Sequence, residues 1–187
     1  CVRGPCAAGK TVMLLKAIAE AKQPTLVVVW ETIHQKHWIS EILKFFDISR
    51  SEIGGVGGVF KKPKVGIINV CMQQSLKNRQ NRDLFVDLIG FVGGDEIQRF
   101  AAKTFQEVIN NFPAKYRIGV TANERRKDGK QFLIYDTFGE VIHDQDGQQE
   151  FLKFQHSFIL LCMKKKSLSI TIHCCWVNWQ KTMIGIN

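Results

Sequence analysis

Gly4-Pro5-Cys6-Ala7-Ala8-Gly9-Lys10-Thr11 fits the phosphate-loop pattern G-x-x-x-x-G-K-[ST]. The residue types suit an anionic ligand. Gly4 and Gly9 let the backbone curl, so that amides through Cys6, Ala7, Ala8 and Gly9 can point inward at phosphate oxygens. Lys10 brings a point positive charge for the β- and γ-phosphates, and Thr11 a hydroxyl for Mg²⁺. Ala7 stands where such loops usually carry glycine, and a Cβ at a positive-φ site introduces strain of about 1 kcal/mol. The competing reading is a chance match in a Gly/Ala-rich turn.

A second group of residues with chemistry to offer is Asp95-Glu96, 85 residues after Lys10 and delivered by the apolar run Leu84 to Val92. At a strand end Asp95 suits a Mg²⁺ ion held through its water shell, and Glu96 suits the base that orients and polarises an attacking water. An isolated Asp-Glu pair is usually only solvated; the apolar run before it and a helix over residues 101–111 after it supply the context. Further on, Thr121-Ala122-Asn123 closes the strand-like Tyr116 to Val120, and Thr121 and Asn123 can bridge a nucleotide site and a moving neighbour by hydrogen bonds.

These residues need a scaffold, and the chain alternates helix and strand patterns. Thr11 to Ala21 has apolar residues at helical spacing, so the loop opens into a helix whose positive dipole end favours phosphate. After Pro24, the run Thr25-Leu26-Val27-Val28-Val29-Trp30 reads as a buried parallel strand. Ile33, Trp38, Ile39, Ile42, Leu43 and Phe46 then predict a helix that packs on it, with Thr32 as its N-cap. Gly54 to Gly58 reads as a loop or hairpin turn, with Lys61-Lys62-Pro63-Lys64 at its exit and a strand over Val65 to Val70. Lys61 and Lys62 suit either a nucleic-acid backbone or a solvated hairpin. Gln73 to Leu76 starts a short helix or turn, Arg79 to Asp83 is a polar link, and Phe132 to Tyr135 begins a last apolar element.

The chain has 187 residues and a formal net charge of +9, which suits one domain with a sizeable core, attracted to polyanions. A merely basic, soluble surface is the alternative. No apolar run reaches membrane-spanning length and no signal peptide is evident, so the expected compartment is the cytoplasm. The six cysteines form no C-x-x-C pair, which predicts reduced, mostly buried thiols and no metal site. We divide the chain into residues 1–150, an α/β domain, and 151–187, a tail with five lysines and no acid. Trp176 and Trp179 in the tail suit either base stacking or a core edge.

In this order, the phosphate loop, the Val27-Val28-Val29 strand with Trp38 behind it, the Gly-rich loop before Lys61-Lys62-Pro63, Gln74-Ser75-Leu76, Asp95-Glu96 and Thr121-Ala122-Asn123 with the charged stretch Glu124 to Gly129 resemble superfamily 2 helicases. The branch resembled is that of type III restriction subunits and excision-repair and phage translocases, and it covers roughly residues 1–145. The resemblance implies a RecA-like phosphate-loop NTPase fold, a mainly parallel sheet flanked by helices, with ATP and Mg²⁺ at the strand ends. It implies an ATP-dependent helicase or translocase activity on nucleic acid, DNA ahead of RNA, with Thr32 and Ser75 at the backbone. It also implies that Gln98 relays between ATP and a second RecA-like domain, which supplies arginines to the site and is expected from a partner, because residues 151–187 are too few to form one.

Three departures accompany the resemblance. Gln98 stands where the family has histidine, and an amide bridges by hydrogen bonds without titrating. Gly93-Gly94 replaces an apolar strand end, which predicts a loosened Asp95; Asn123 replaces Thr or Ser. Two further hypotheses follow: a nucleic-acid-binding or regulatory module of the same fold without turnover, and a plain ATPase or kinase on another phosphate-loop fold.

Overall fold

The computed structural model describes residues 1–4, 9–100, 103–122, 129, 131–141 and 143–144. The strands are β1 (Val2–Arg3), β2 (Thr25–Val29), β3 (Ile53–Gly57), β4 (Phe60–Lys64), β5 (Ile68–Met72), β6 (Phe91–Asp95), β7 (Tyr116–Thr121) and β8 (His143–Asp144). The helices are α1 (Lys10–Ala21), α2 (Thr32–Phe45), α3 (Gln73–Leu76), α4 (Arg79–Val86), α5 (Lys103–Asn110) and α6 (Phe132–Phe138). All eight strands join one sheet in the order β4-β3-β5-β2-β6-β7-β1-β8. Among the described residues only β3 with β4 is antiparallel, and the other pairings are parallel.

Burial on both faces follows from the β-branched runs. In β2, Val27 and Val29 join the core packed under α1 and α2, while Leu26 and Val28 face the opposite core, built from Phe85 of α4, Phe105 and Ile109 of α5, and Ile134 and Phe138 of α6. Successive strand residues point to opposite faces, so a continuous apolar run serves two helical layers at once. β1, only two residues long, is held between β7 and β8, with Val2 opposite Val120 and Arg3 opposite Thr121.

Several expectations change. Arg79 to Asp83 is not a link but the first part of α4: the Asn78 side chain accepts the Gln80 amide at 2.9 Å as an N-cap, and Phe85 is its one buried anchor. The apolar run Leu84 to Val92 is therefore divided between the end of α4 and the start of β6. Thr32 is the first helical residue of α2, and Glu31 takes the N-cap place. The buried face of α2 is Gln35, Trp38, Ile39 and Ile42, whereas Ile33 is 67% and Leu43 39% exposed. Gln35 tolerates burial because both ends of its amide are bonded, Nε2 to the Val70 carbonyl and Oε1 to the Val59 amide, each at 2.8 Å.

Gly54 to Gly57 extend within β3, which turns through Gly58 into β4, so the Gly-rich stretch is a strand and a hairpin turn. The next strand begins at Ile68, three residues later than the composition suggests. β6 runs through Gly93-Gly94 with its register intact on both sides. A Cβ at Gly93 would lie 3.1 Å from Leu14 Cδ2, and one at Gly94 would lie 2.7 Å from Ile97 Cγ2, so these glycines admit side chains against the sheet. Cys1 and Cys71 are buried thiols, and burial pushes the Cys71 thiol well up.

Candidate nucleotide site

Each parallel strand delivers its next loop to the same edge of the sheet, and the residues with chemistry collect there. β1 leads through Gly4 into the phosphate loop, whose residues Cys6, Ala7 and Ala8 lie outside the described residues. Gly9 takes the left-handed φ of 67° and caps α1, a turn for which glycine has no Cβ penalty. Lys10 opens α1 and is 9% exposed, and its Nζ donates to the Gly4 carbonyl at 2.9 Å, which ties the start of α1 to the residue after β1. Thr11 follows in the first turn, which carries no acidic residue to offset the positive end of the helix dipole.

From that loop a continuous chain of hydrogen bonds crosses the strand ends. Gly4 N donates to the Thr121 carbonyl at 3.1 Å, tying the loop to β7. The Thr121 hydroxyl donates to Gln98 Oε1, and Gln98 Nε2 donates to Glu96 Oε2, both short contacts of 2.5 Å. The amide is donor at one end and acceptor at the other, so Gln98 joins the end of β6 to the end of β7. Glu96 takes a positive φ of 54°, a conformation that costs a non-glycine residue about 1–2 kcal/mol. Strain of that kind is retained where the surroundings over-determine it.

Asp95, half-buried at the end of β6, accepts the Trp38 indole N–H on Oδ2 at 2.7 Å. Burial raises its carboxyl above the ordinary range; the Trp38 bond opposes this, the Glu96 charge adds to it, and His34 opposes it. Asp95 and Glu96 lie at the end of β6, and Lys10 and Thr11 open α1 after β1, two strands away; carboxylates, an ammonium and a hydroxyl at these strand ends are groups that a divalent cation with phosphates would engage. The residues present therefore fit Mg²⁺ and a nucleotide, through Lys10, Thr11 and Asp95.

Two of the residues read as nucleic-acid contacts, Thr32 and Ser75, lie just after β2 and β5 on the same edge. Thr32 is exposed at the start of α2, and Ser75 is partly buried in α3. Gln74 Nε2 donates to the Trp30 carbonyl at 3.3 Å, which joins the two segments. Gly57 packs on Ser75: a Cβ there would lie 2.0 Å from the hydroxyl. Lys61 and Lys62 are exposed on β4, at the far border of the sheet, away from the nucleotide residues. Asn123 and the tail lie outside the described residues. Composition did not reveal Trp38 and Gln35 as polar partners, or the Glu31–Arg99 ion pair at 3.3 Å, because each joins segments distant in sequence. Only the spacing of Gln35 and Trp38, three apart on one helix face, hints at it.

A phosphate loop between a strand and a helix, an Asp-Glu pair on the strand two places away, and the polar end of the strand between them define a RecA-like helicase motor domain, the first of the two such a motor carries. The chain belongs to the family described as type III restriction enzyme, res subunit, whose model matches residues 1–126. It is 28% identical over 144 residues to the DNA 3'-5' helicase XPB of Kineococcus radiotolerans, covering 75% of this chain and 26% of that protein. It is 27% identical over 139 residues to the DNA 3'-5' translocase XPB2 of Sulfurisphaera tokodaii, covering 74% of this chain and 30% of that protein. The fold matches the UvsW helicase of bacteriophage T4 with a TM-score of 0.59 and 17% identity, over 76% of this chain and 53% of that one. The chain thus spans about a third or less of these curated relatives. Among the described residues no helix is long and apolar enough to cross a membrane.

Proposed function

We propose that this chain is the ATP-binding half of an ATP-dependent helicase or translocase, coupling Mg²⁺-ATP binding and hydrolysis to remodelling of nucleic acid, DNA ahead of RNA. The observation that carries this reading is the hydrogen-bond chain Lys10–Gly4–Thr121–Gln98–Glu96, which makes the phosphate loop, the base and the end of β7 one mechanical unit. Bound at Lys10, Thr11 and Asp95, Mg²⁺-ATP supplies the phosphoanhydride whose cleavage powers such a motor.

Lys10 binds phosphate oxygens, exchanging the Gly4 carbonyl for a stronger anionic acceptor. Glu96, with Oε2 held by Gln98, keeps its other oxygen to orient a water and take its proton. Gln98 and Thr121 transmit any displacement of Glu96 to β7 and to whatever follows it. A second RecA-like domain supplies the arginines that stabilise charge in the transition state, a contribution of roughly 10³ to 10⁵ in rate. Thr32, Ser75, Lys61 and Lys62 meet the nucleic-acid backbone, in keeping with the net charge of +9. The names of the relatives, DNA helicase and DNA translocase, favour DNA.

The test is ATP turnover by the purified chain with and without single- and double-stranded DNA or RNA. Turnover that nucleic acid stimulates, and that Glu96→Gln lowers by about 10² or more while nucleotide binding persists, is the expected result. Binding without any turnover would favour the non-hydrolysing nucleic-acid-binding module instead.

A further inference from the structure

Trp38 lies at 0% exposure on the buried face of α2, and a buried indole N–H needs an acceptor. A backbone carbonyl would serve. Its partner is instead Asp95 Oδ2, 57 residues away, at 2.7 Å, a charge-assisted bond at the short end of the N–H···O range. α2 cannot slide freely to loosen this contact. Three residues earlier on the same face, Gln35 is pinned to the Val70 carbonyl of β5 and to the Val59 amide of the hairpin, each at 2.8 Å. At its start, Glu31 pairs with Arg99, just beyond Glu96, at 3.3 Å.

We propose that Trp38 is a positioning residue for the metal site, its N–H holding one oxygen of Asp95 so that the other is presented to the Mg²⁺ water shell, and that α2 thereby connects this carboxylate to the segment that begins at Thr32. The proposal rests on the reading of Asp95 as the Mg²⁺ carboxylate. Partners of metal-holding groups typically contribute 10- to 100-fold in metal affinity when their bond to the ligand is removed. A tryptophan that only filled the core would contribute nothing of the kind.

Trp38→Phe keeps an aromatic ring in the same pocket and removes the N–H. In the full chain, Mg²⁺ is titrated against a fixed concentration of a fluorescent ADP, read by anisotropy, and ADP is then titrated at saturating Mg²⁺. The Mg²⁺ midpoint of Trp38→Phe should rise about tenfold, with ADP affinity at saturating Mg²⁺ nearly unchanged. An unchanged Mg²⁺ midpoint in the folded variant overturns the proposal and leaves the nucleotide site standing. Should the variant not fold, the wild-type ¹⁵N indole spectrum decides. One of the four tryptophan signals must move when Mg²⁺ is added to ADP-saturated protein, and four unmoved signals overturn the proposal. Wild-type chain that binds no ADP at any Mg²⁺ concentration sinks the nucleotide-site reading and this proposal together.

Discussion

Asp95 is a carboxylate that the fold keeps at a cost to stability. Its carboxyl is raised by burial first and by the Glu96 charge next, with the Trp38 bond and His34 only partly offsetting them. The folded chain therefore holds a proton at pH values where the unfolded chain has already released it. Stability from this group falls as pH rises from the ordinary carboxylate range through the raised value, and stays at the lower level above it. With Mg²⁺ chelated, Asp95→Asn should be more stable than wild type near neutral pH, and the advantage should shrink as the pH falls through the raised value toward the ordinary one. Urea unfolding of both proteins across that range measures it; an advantage of constant size would mean that the carboxylate is not the cause. At this scale the residue types were legible in the sequence: Lys10, Thr11, Asp95 and Glu96 sit in patterns with a known chemical logic. Their partners were not. Trp38 reads only as an apolar member of a helix, and its hydrogen bond to Asp95 depends on where α2 lies against β6.

The elements that position the site differ in how openly they declare themselves. β2 and β7 come from β-branched or apolar runs bounded by breakers, and α1 follows the phosphate loop by necessity, so all three could be read directly. α4 could not, because one buried phenylalanine and an asparagine cap give almost no periodic signal. The face of α2 is hidden in the sequence for a related reason: Gln35 is polar by type but buried by position, once Val59 and Val70 satisfy it. Gly93-Gly94 carries no side-chain signal in the sequence, and in β6 it is where Leu14, Ile97 and Phe138 pack close. The junction of α2 with the hairpin gives a prediction of its own. Gly58 has φ +58°, and a Cβ there would lie 2.1 Å from Gln35 Oε1. Gly58→Ala should cost about 2–3 kcal/mol, the left-handed strain plus a disturbed Gln35 bond, visible as a lowered thermal midpoint. A loss within about 0.5 kcal/mol, the range of an ordinary surface change, would show that Gln35 does not hold the hairpin rigidly.

For the whole molecule, the sheet order brings the phosphate loop and the Asp-Glu pair to one edge, with β7 between β6 and β1 as the strand both sides touch. Thr121 at the end of β7 bonds to Gln98 and, through its carbonyl, to Gly4, so one residue joins both sides. On the proposed function, such an edge would hold half of a motor, gripping phosphates and orienting a water, with the arginines and the moving partner supplied by a second domain. On the same proposal, this edge binds a nucleotide through its phosphates. The measurement that tests it most directly is equilibrium binding of a fluorescent ATP analogue to wild-type chain and to Lys10→Ala, with Mg²⁺ and with chelator. We expect Mg²⁺-dependent binding by wild type and a loss of about 10² or more in affinity for Lys10→Ala, the cost of leaving bound phosphate oxygens without their buried ammonium. Equal binding by the two proteins, or none by the folded wild type, would contradict it.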